Sequence, residues 1–212
     1  MRRTFLLAGL LIFSNALWSQ VRYDVLLKGG HVIDPKNRID QVMDVAIAQR
    51  KIARVAANIP EAEAKQVINV PGLFVTPGLV DMHIHAYAST GVKGEYNGDR
   101  SLYPDGYTLR NGVTTAVDAG TSGWTSFPDF KEKVIDRART RVLAMINILG
   151  QGMGNRQTVE QNTADMDSQA TAKMARKYPE IIVAIKTAHY MGPEWTAVDR
   201  AVEAAKLADV PR

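Results

Sequence analysis

The chain has 212 residues, 46% of them hydrophobic and 23% charged, a composition that supplies a globular core. Its net charge of +4 includes Arg2 and Arg3, and no basic run follows them, which excludes the electrostatic footprint of a nucleic-acid binder. There is no cysteine, so disulfides, cysteine-linked lipids and thiolate ligands are excluded, and a transition-metal site must use His, carboxylate or modified side chains.

The first twenty residues read as a secretory signal. Arg2-Arg3 supply a charged start, residues 4–13 an apolar run, and residues 14–20 a more polar end with small side chains. The alternative is an uncleaved anchor, but an apolar run of about ten residues falls well short of the roughly 20 needed to cross a bilayer. Cleavage after Ala16 or near Ser19-Gln20 predicts a periplasmic or secreted protein with no stable membrane anchor.

Residues 21–75 read as short strands. Residues 23–27 lead through a turn at Lys28-Gly29-Gly30 into His31-Val32-Ile33, and Asp34-Pro35-Lys36-Asn37 is a second turn. Residues 42–48 and 51–56 suggest a hairpin, although Gln49-Arg50 is a poor two-residue turn. Residues 67–70 add one more strand before Pro71-Gly72. The expectation is a small β-sandwich segment, marginal by itself because it buries so little.

From residue 76 to 212 the rhythm becomes strand then helix. Strands are predicted at 79–85, 113–119, 142–149 and 181–187, all near-continuous apolar runs, as in parallel strands buried on both faces. Between the first two lies a long stretch from Tyr87 to Tyr103, a length typical of lids and binding loops. Ser126-Phe127-Pro128 opens a helix carrying Phe130, Val134, Ile135 and Ala138. Met166, Ala170 and Met174 form a stripe ending at Tyr178-Pro179, and Trp195, Val198, Val202 and Ala205 line a last helix after Pro193. Four such units define an α/β chain forming the N-terminal half of a (β/α)8 TIM barrel, whose sites lie at the C-terminal strand ends.

Chemistry-bearing residues sit at those ends. His83 and His85, two apart on a strand, point to one face and can hold a divalent ion; the bland alternative is a pair of hydrogen-bonded strand histidines. Lys186 ends the apolar run Ile-Ile-Val-Ala-Ile-Lys-Thr, where burying an ammonium is costly. A neutral amine there can react with carbon dioxide to give a carbamate whose two oxygens bridge two cations. The alternative is a lysine that snorkels to the strand end or pairs with a carboxylate.

The run Val75-Thr76-Pro77-Gly78-Leu79-Val80-Asp81-Met82-His83-Ile84-His85 resembles the signature of the amidohydrolase superfamily, in its dihydroorotase/hydantoinase-like and deacetylase branches. The opening segment from Asp24 to Pro35 and the run from Val113 to Gly120 are similar to that family's first β-segment and second barrel strand. The resemblance implies a hydrolase acting on C–N bonds of small-molecule amides or cyclic amides, with two divalent metal ions, usually zinc. It assigns His83 and His85 to the more buried metal and Lys186 to the carboxylated bridge. Asp81 is a candidate to orient a ligand histidine, Asp118 either lines the site as a substrate contact or is a surface cap, His189 either contacts substrate or is a solvated loop histidine, and His31 is expected to be structural.

Members of that superfamily continue through four more strands, which carry two further histidine ligands and the catalytic aspartate; here that aspartate is expected beyond Arg212. The expectation is therefore a fragment of an exported enzyme, inactive alone, with open sheet edges that favour aggregation. The alternatives are a non-catalytic half-barrel that binds or assembles as a homo-oligomer, and a mononuclear deaminase, which shares the H-x-H but uses no lysine on strand four.

Overall fold

The computed structural model describes residues 21–87, 101–153 and 159–210. The expected signal, 1–20, and residues 88–100 of the long stretch after the first barrel strand lie outside the described residues. The chain divides into two compact units at Pro77/Gly78.

The first unit holds β1 (Tyr23–Asp34), β2 (Ile39–Ala48), β3 (Lys51–Ala56), β4 (Ala64–Asn69) and β5 (Phe74–Val75). Over the described residues the expected β-sandwich segment is a single mixed sheet, β3-β2-β1-β4, with β5 beside β1. The turn expected at Lys28-Gly29-Gly30 is a bulge inside one long strand, with a register shift between Leu27 and Gly30 and Gly29 at φ 73. The bulge lets Lys28 Nζ donate to buried Asp44 at 2.8 Å, while the Gly29 and Ile59 N–H groups donate to the same carboxylate at 2.8 Å each. Gln49-Arg50 does close the hairpin, with both residues left-handed at φ 51 and 62, as a primed turn requires. Gln49 N–H is held by Asp24 Oδ2 at 2.8 Å, which offsets the poor turn chemistry. His31 is structural: its Nε2 lies 2.6 Å from Asp40 and its ring packs on Phe74.

The second unit is a parallel sheet in the order β6 (Leu79–Ile84), β7 (Val113–Gly123), β8 (Arg141–Asn147), β9 (Ile182–Lys186). Its helices are α1 (Pro104–Tyr107), α2 (Phe127–Phe130), α3 (Ser168–Lys177) and α4 (Thr196–Ala208); α2 runs on into a π-helical turn over Lys131–Ile135. Alternate strand residues Ile84, Ala116, Val142, Ala144 and Ile146 pack against Phe127, Phe130 and Val134 on the helix side. The opposite face, with Leu143 and Met145, is half-buried.

Three sequence expectations are corrected by the structure. Only β7 and β8 are well buried; on β6, at one edge of the described sheet, Leu79, Val80 and Met82 are 59, 60 and 65% exposed, since an apolar run does not show which strands the described helices cover. The two methionines of the Met166/Ala170/Met174 stripe do pack inward, Met166 buried and Met174 against the helix-side core, but the stripe is not the main buried face of α3. Asp167 caps that helix by accepting from the Gln169 and Ala170 N–H groups, which leaves Met166 outside it and buries Ser168, Thr171, Ala172 and Ala175. In α4 the buried face is Ala197, Ala201, Ala204 and Ala205, rotated away from Trp195 and Val198, which are exposed. No described helix is long and apolar enough to cross a membrane.

Candidate metal centre

Each parallel strand pair carries a register shift, and these irregularities aim the side chains of interest. Between Asp81 and Ile84, β6 carries one residue more than β7; between Ala119 and Gly123, β7 carries two more than β8; at Val183, β9 carries one more than β8. Bulges of this kind bend a strand and re-aim the side chains beyond them.

Ile84 packs into the helix-side core, so the histidines flanking it face the other side. His83 is exposed, His85 is half-buried, and their rings meet edge to face with centroids 5.3 Å apart. The H-x-H pair is thus brought together as its spacing predicts. Asp81 acts on main chain: its carboxylate accepts the His83 N–H at 3.1 Å.

Lys186 owes its direction to the β9 bulge. Ile182 packs into the helix-side core, and strict alternation would send Lys186 the same way. The extra residue at Val183 inverts the phase, so that Ile185 packs on the helix side and Lys186 lies against Gly120 and Asn147. A Cβ on Gly120 would stand 2.5 Å from Lys186 Cγ and 2.9 Å from its Cβ, and Gly120 has φ +87, so glycine is required twice over. Asn147 Nδ2 donates to Gly120 O at 3.0 Å and holds this crossing in place.

Asp118 does not line an accessible surface, which corrects its expected role as a substrate contact. It shares the helix-facing phase of Ala116, is 0% exposed, and is saturated by protein donors: Ala86 N–H at 2.8 Å, Thr121 N–H at 2.7 Å and Thr121 Oγ1 at 2.7 Å. Burial pushes its carboxyl pKa up, against the pull of these bonds. Thr121 Oγ1 in turn lies 3.2 Å from His85 Nδ1.

His189 sits exposed past the end of β9, in the left-handed region at φ 59. Gln161 clamps it by donating to His189 O and accepting the Met191 N–H, both at 2.8 Å. Its Nδ1 is 2.6 Å from Oε2 of Glu160, a buried carboxylate that needs such a partner. A cleft of about 370 Å³ opens beside it, walled by His189, Tyr190, Pro193 and Trp195.

Electrostatically the group is one cluster. Burial, then the positive charges of His83, Lys186 and His189, lower the pKa of His85 and favour a neutral ring. Among the described residues no three His, Asp or Glu side chains converge as a ready cage, so a third donor beside the two imidazoles must come from elsewhere. The donor chemistry fits a divalent ion on that condition: two imidazoles, and an amine laid in a groove that a Cβ at Gly120 would fill, becoming an oxygen donor once carboxylated. Gly120, Thr121, Asn147 and Glu160 were not singled out from sequence. The run Asp118-Ala119-Gly120-Thr121 did carry a signal, since Asp followed by Gly and Thr is the chemistry of a local side-chain-to-backbone turn.

A parallel βα sheet with a histidine pair on its first strand and a lysine ending its fourth has the architecture of part of a (β/α)8 barrel. No family model matches the chain. It is 31% identical over 169 residues to a deacetylase from Enterococcus faecalis, covering 77% of this chain and 41% of that protein. It is 30% identical over 167 residues to a deacetylase from Agrobacterium fabrum, covering 76% and 39%. A 61-residue stretch, 29% of this chain and 14% of the relative, is 49% identical to a dihydroorotase from Streptococcus pyogenes. Among solved structures, an adenine deaminase superposes with TM-score 0.72 at 28% identity over 88% of this chain and 48% of that one. A dihydroorotase superposes with TM-score 0.71 at 25% identity over 88% and 49%. These likenesses support the amidohydrolase superfamily: the chain matches the N-terminal part of such proteins and folds as four βα units of a partial barrel. It spans about two fifths of the length of the two deacetylases.

Proposed function

We propose that this chain carries one side of the metal centre of an exported hydrolase that cleaves carbon–nitrogen bonds in small amides or cyclic amides, in the manner of deacetylases and dihydroorotases. The observation that carries the proposal is the placement of the His83–His85 pair and of Lys186, laid over Gly120, at the C-terminal ends of β6 and β9. In this reading His83 and His85 would hold one divalent ion, zinc first, and Lys186, once carboxylated, would supply oxygen donors for two. The Lys186 amine adds to carbon dioxide, forming an N–C bond and releasing one proton to solvent, which leaves an anionic carbamate. Bound metal lowers the pKa of its water and polarises the scissile carbonyl. Gly120 and Asn147 keep Lys186 in line, and Glu160 fixes Nδ1 of His189 so that its other nitrogen is presented to substrate. The charged and apolar segment 1–20 supports export to the periplasm or beyond, with signal removal.

The likeness to an adenine deaminase favours one second reading, hydrolysis of an exocyclic C–N bond at a single-metal centre without a carbamate. Zinc titration of the metal-free chain with and without bicarbonate separates the two. Wild type should take up additional zinc when bicarbonate is present. Lys186→Ala should lose that increment and keep the histidine site, and the double change His83→Gln/His85→Gln should bind none. Uptake indifferent to Lys186 and bicarbonate would select the single-metal reading. A discrete dimer that binds no zinc would select a non-catalytic assembly role instead.

A further inference from the structure

Asp118 is a charge-bearing group sealed in the sheet, without contact to anything outside the protein, and its carboxylate has an unusual set of partners. Main-chain N–H groups of Ala86 and Thr121 donate to its two oxygens, at 2.8 and 2.7 Å, so both oxygens act as acceptors. The Thr121 hydroxyl donates its one proton to the same carboxylate at 2.7 Å. A hydroxyl whose proton is committed can only accept from its next neighbour. That neighbour is His85 Nδ1, 3.2 Å away.

We propose that Asp118, acting through Thr121, is a positioning device that holds His85 as the Nδ1–H tautomer with Nε2 unprotonated and turned out for a ligand. The direction of each bond is dictated by the one before it: carboxylate accepts, hydroxyl donates and accepts, imidazole donates. The device also explains why an aspartate is kept on the helix-facing phase of β7, where an apolar residue would pack at less cost. Its anchors are Thr121 on β7 and Ala86, the residue after His85, so the ring is referenced to the neighbouring strand as well as to its own. A hydrogen bond of this kind fixes which nitrogen is free and raises the basicity of the one presented. Neither Thr121 nor Asp118 touches substrate or metal in this scheme. The part of the inference that concerns ligand affinity rests on the metal-centre reading above; the tautomer does not.

The test uses the full chain with 15N-labelled histidine, metal-free and at mildly alkaline pH, where two-bond 1H–15N spectra report which ring nitrogen carries the proton. His85 is assigned as the ring lost in His85→Gln. Wild type should show Nδ1–H at His85, and Thr121→Ser, which keeps the hydroxyl, should match it. Thr121→Val should shift the ring toward the Nε2–H form and weaken uptake of Zn2+ by about 10–100-fold, with Thr121→Ser near wild type. An Nε2–H ring in wild type would overturn the proposal without recourse to any variant. So would a folded Thr121→Val protein with unchanged tautomer and zinc affinity. A wild-type chain that shows Nδ1–H yet takes up no Zn2+ would uphold the positioning device and overturn the metal-centre reading.

Discussion

At the scale of single residues, the chemistry legible in the sequence was that whose geometry is set by the strand period. Two histidines two apart share a face because side chains alternate, and their rings do meet. Asp118 was harder, because its side of the sheet is set by which neighbours pack on helices, and its burial depends on long-range contacts with Ala86. Gly120 yields the sharpest residue-level expectation. Gly120→Ala combines a φ of +87 with overlap on Lys186, so it should cost about 1–3 kcal/mol and displace the lysine. Gly112 offers the control: it has φ +75 and open space where a Cβ would go, so Gly112→Ala should cost only about 1 kcal/mol, from backbone strain alone. Chemical denaturation measures both, and bicarbonate-dependent zinc uptake should fall in the Gly120 variant only.

At the scale of elements, the strand–helix alternation was legible and the phases were not. The bulge at Val183 inverts β9, and nothing in the apolar run Ile-Ile-Val-Ala-Ile marks which residue is extra. The same blindness affected α3 and α4: their buried faces are made of alanines and small polar residues, which carry weaker apolar periodicity than the methionines and tryptophan beside them. Asp105 shows how a short helix is tied into the sheet. From α1 it accepts the Arg139 and Thr140 N–H groups and the Thr140 hydroxyl at 2.9–3.0 Å, just before β8 begins. Burial raises its pKa, but those bonds and the Arg139 charge outweigh it and leave the net value lowered. A carboxylate depressed in the folded state stabilises fully above its unfolded value, near 3.8, and that contribution is lost as pH falls through the folded value. Asp105→Asn should therefore cost about 1–2 kcal/mol at neutral pH, with the gap to wild type closing in acid, as urea titrations across pH would show.

For the whole molecule, the sequence changes rhythm near residue 76, and contacts divide the chain into two units at Pro77/Gly78. What periodicity missed was how differently the four barrel strands are covered, since an apolar run looks alike in the middle of a sheet and at its edge. On β6, Leu79, Val80 and Met82 stand largely exposed beside unpaired backbone groups, a surface that recruits other strands. Self-association that rises with concentration is expected, and Val80→Lys should suppress it without altering far-ultraviolet circular dichroism. Sedimentation velocity over a concentration series is the measurement, and a wild type that stays monomeric throughout would refute the expectation.

The bond from Ala86 N–H to Asp118 has a companion at the other end of the segment that succeeds β6: Leu102 N–H donates to His85 O at 2.8 Å. The chain is therefore pinned at two posts, Ala86 and Leu102, set within one residue of each other at the histidine. The entropy of closing such a segment grows only slowly with its length. The cost of holding the two posts together therefore depends little on the number of residues that join them. His85 is thus held through its own carbonyl and its neighbour's N–H, independently of how many residues join the two posts.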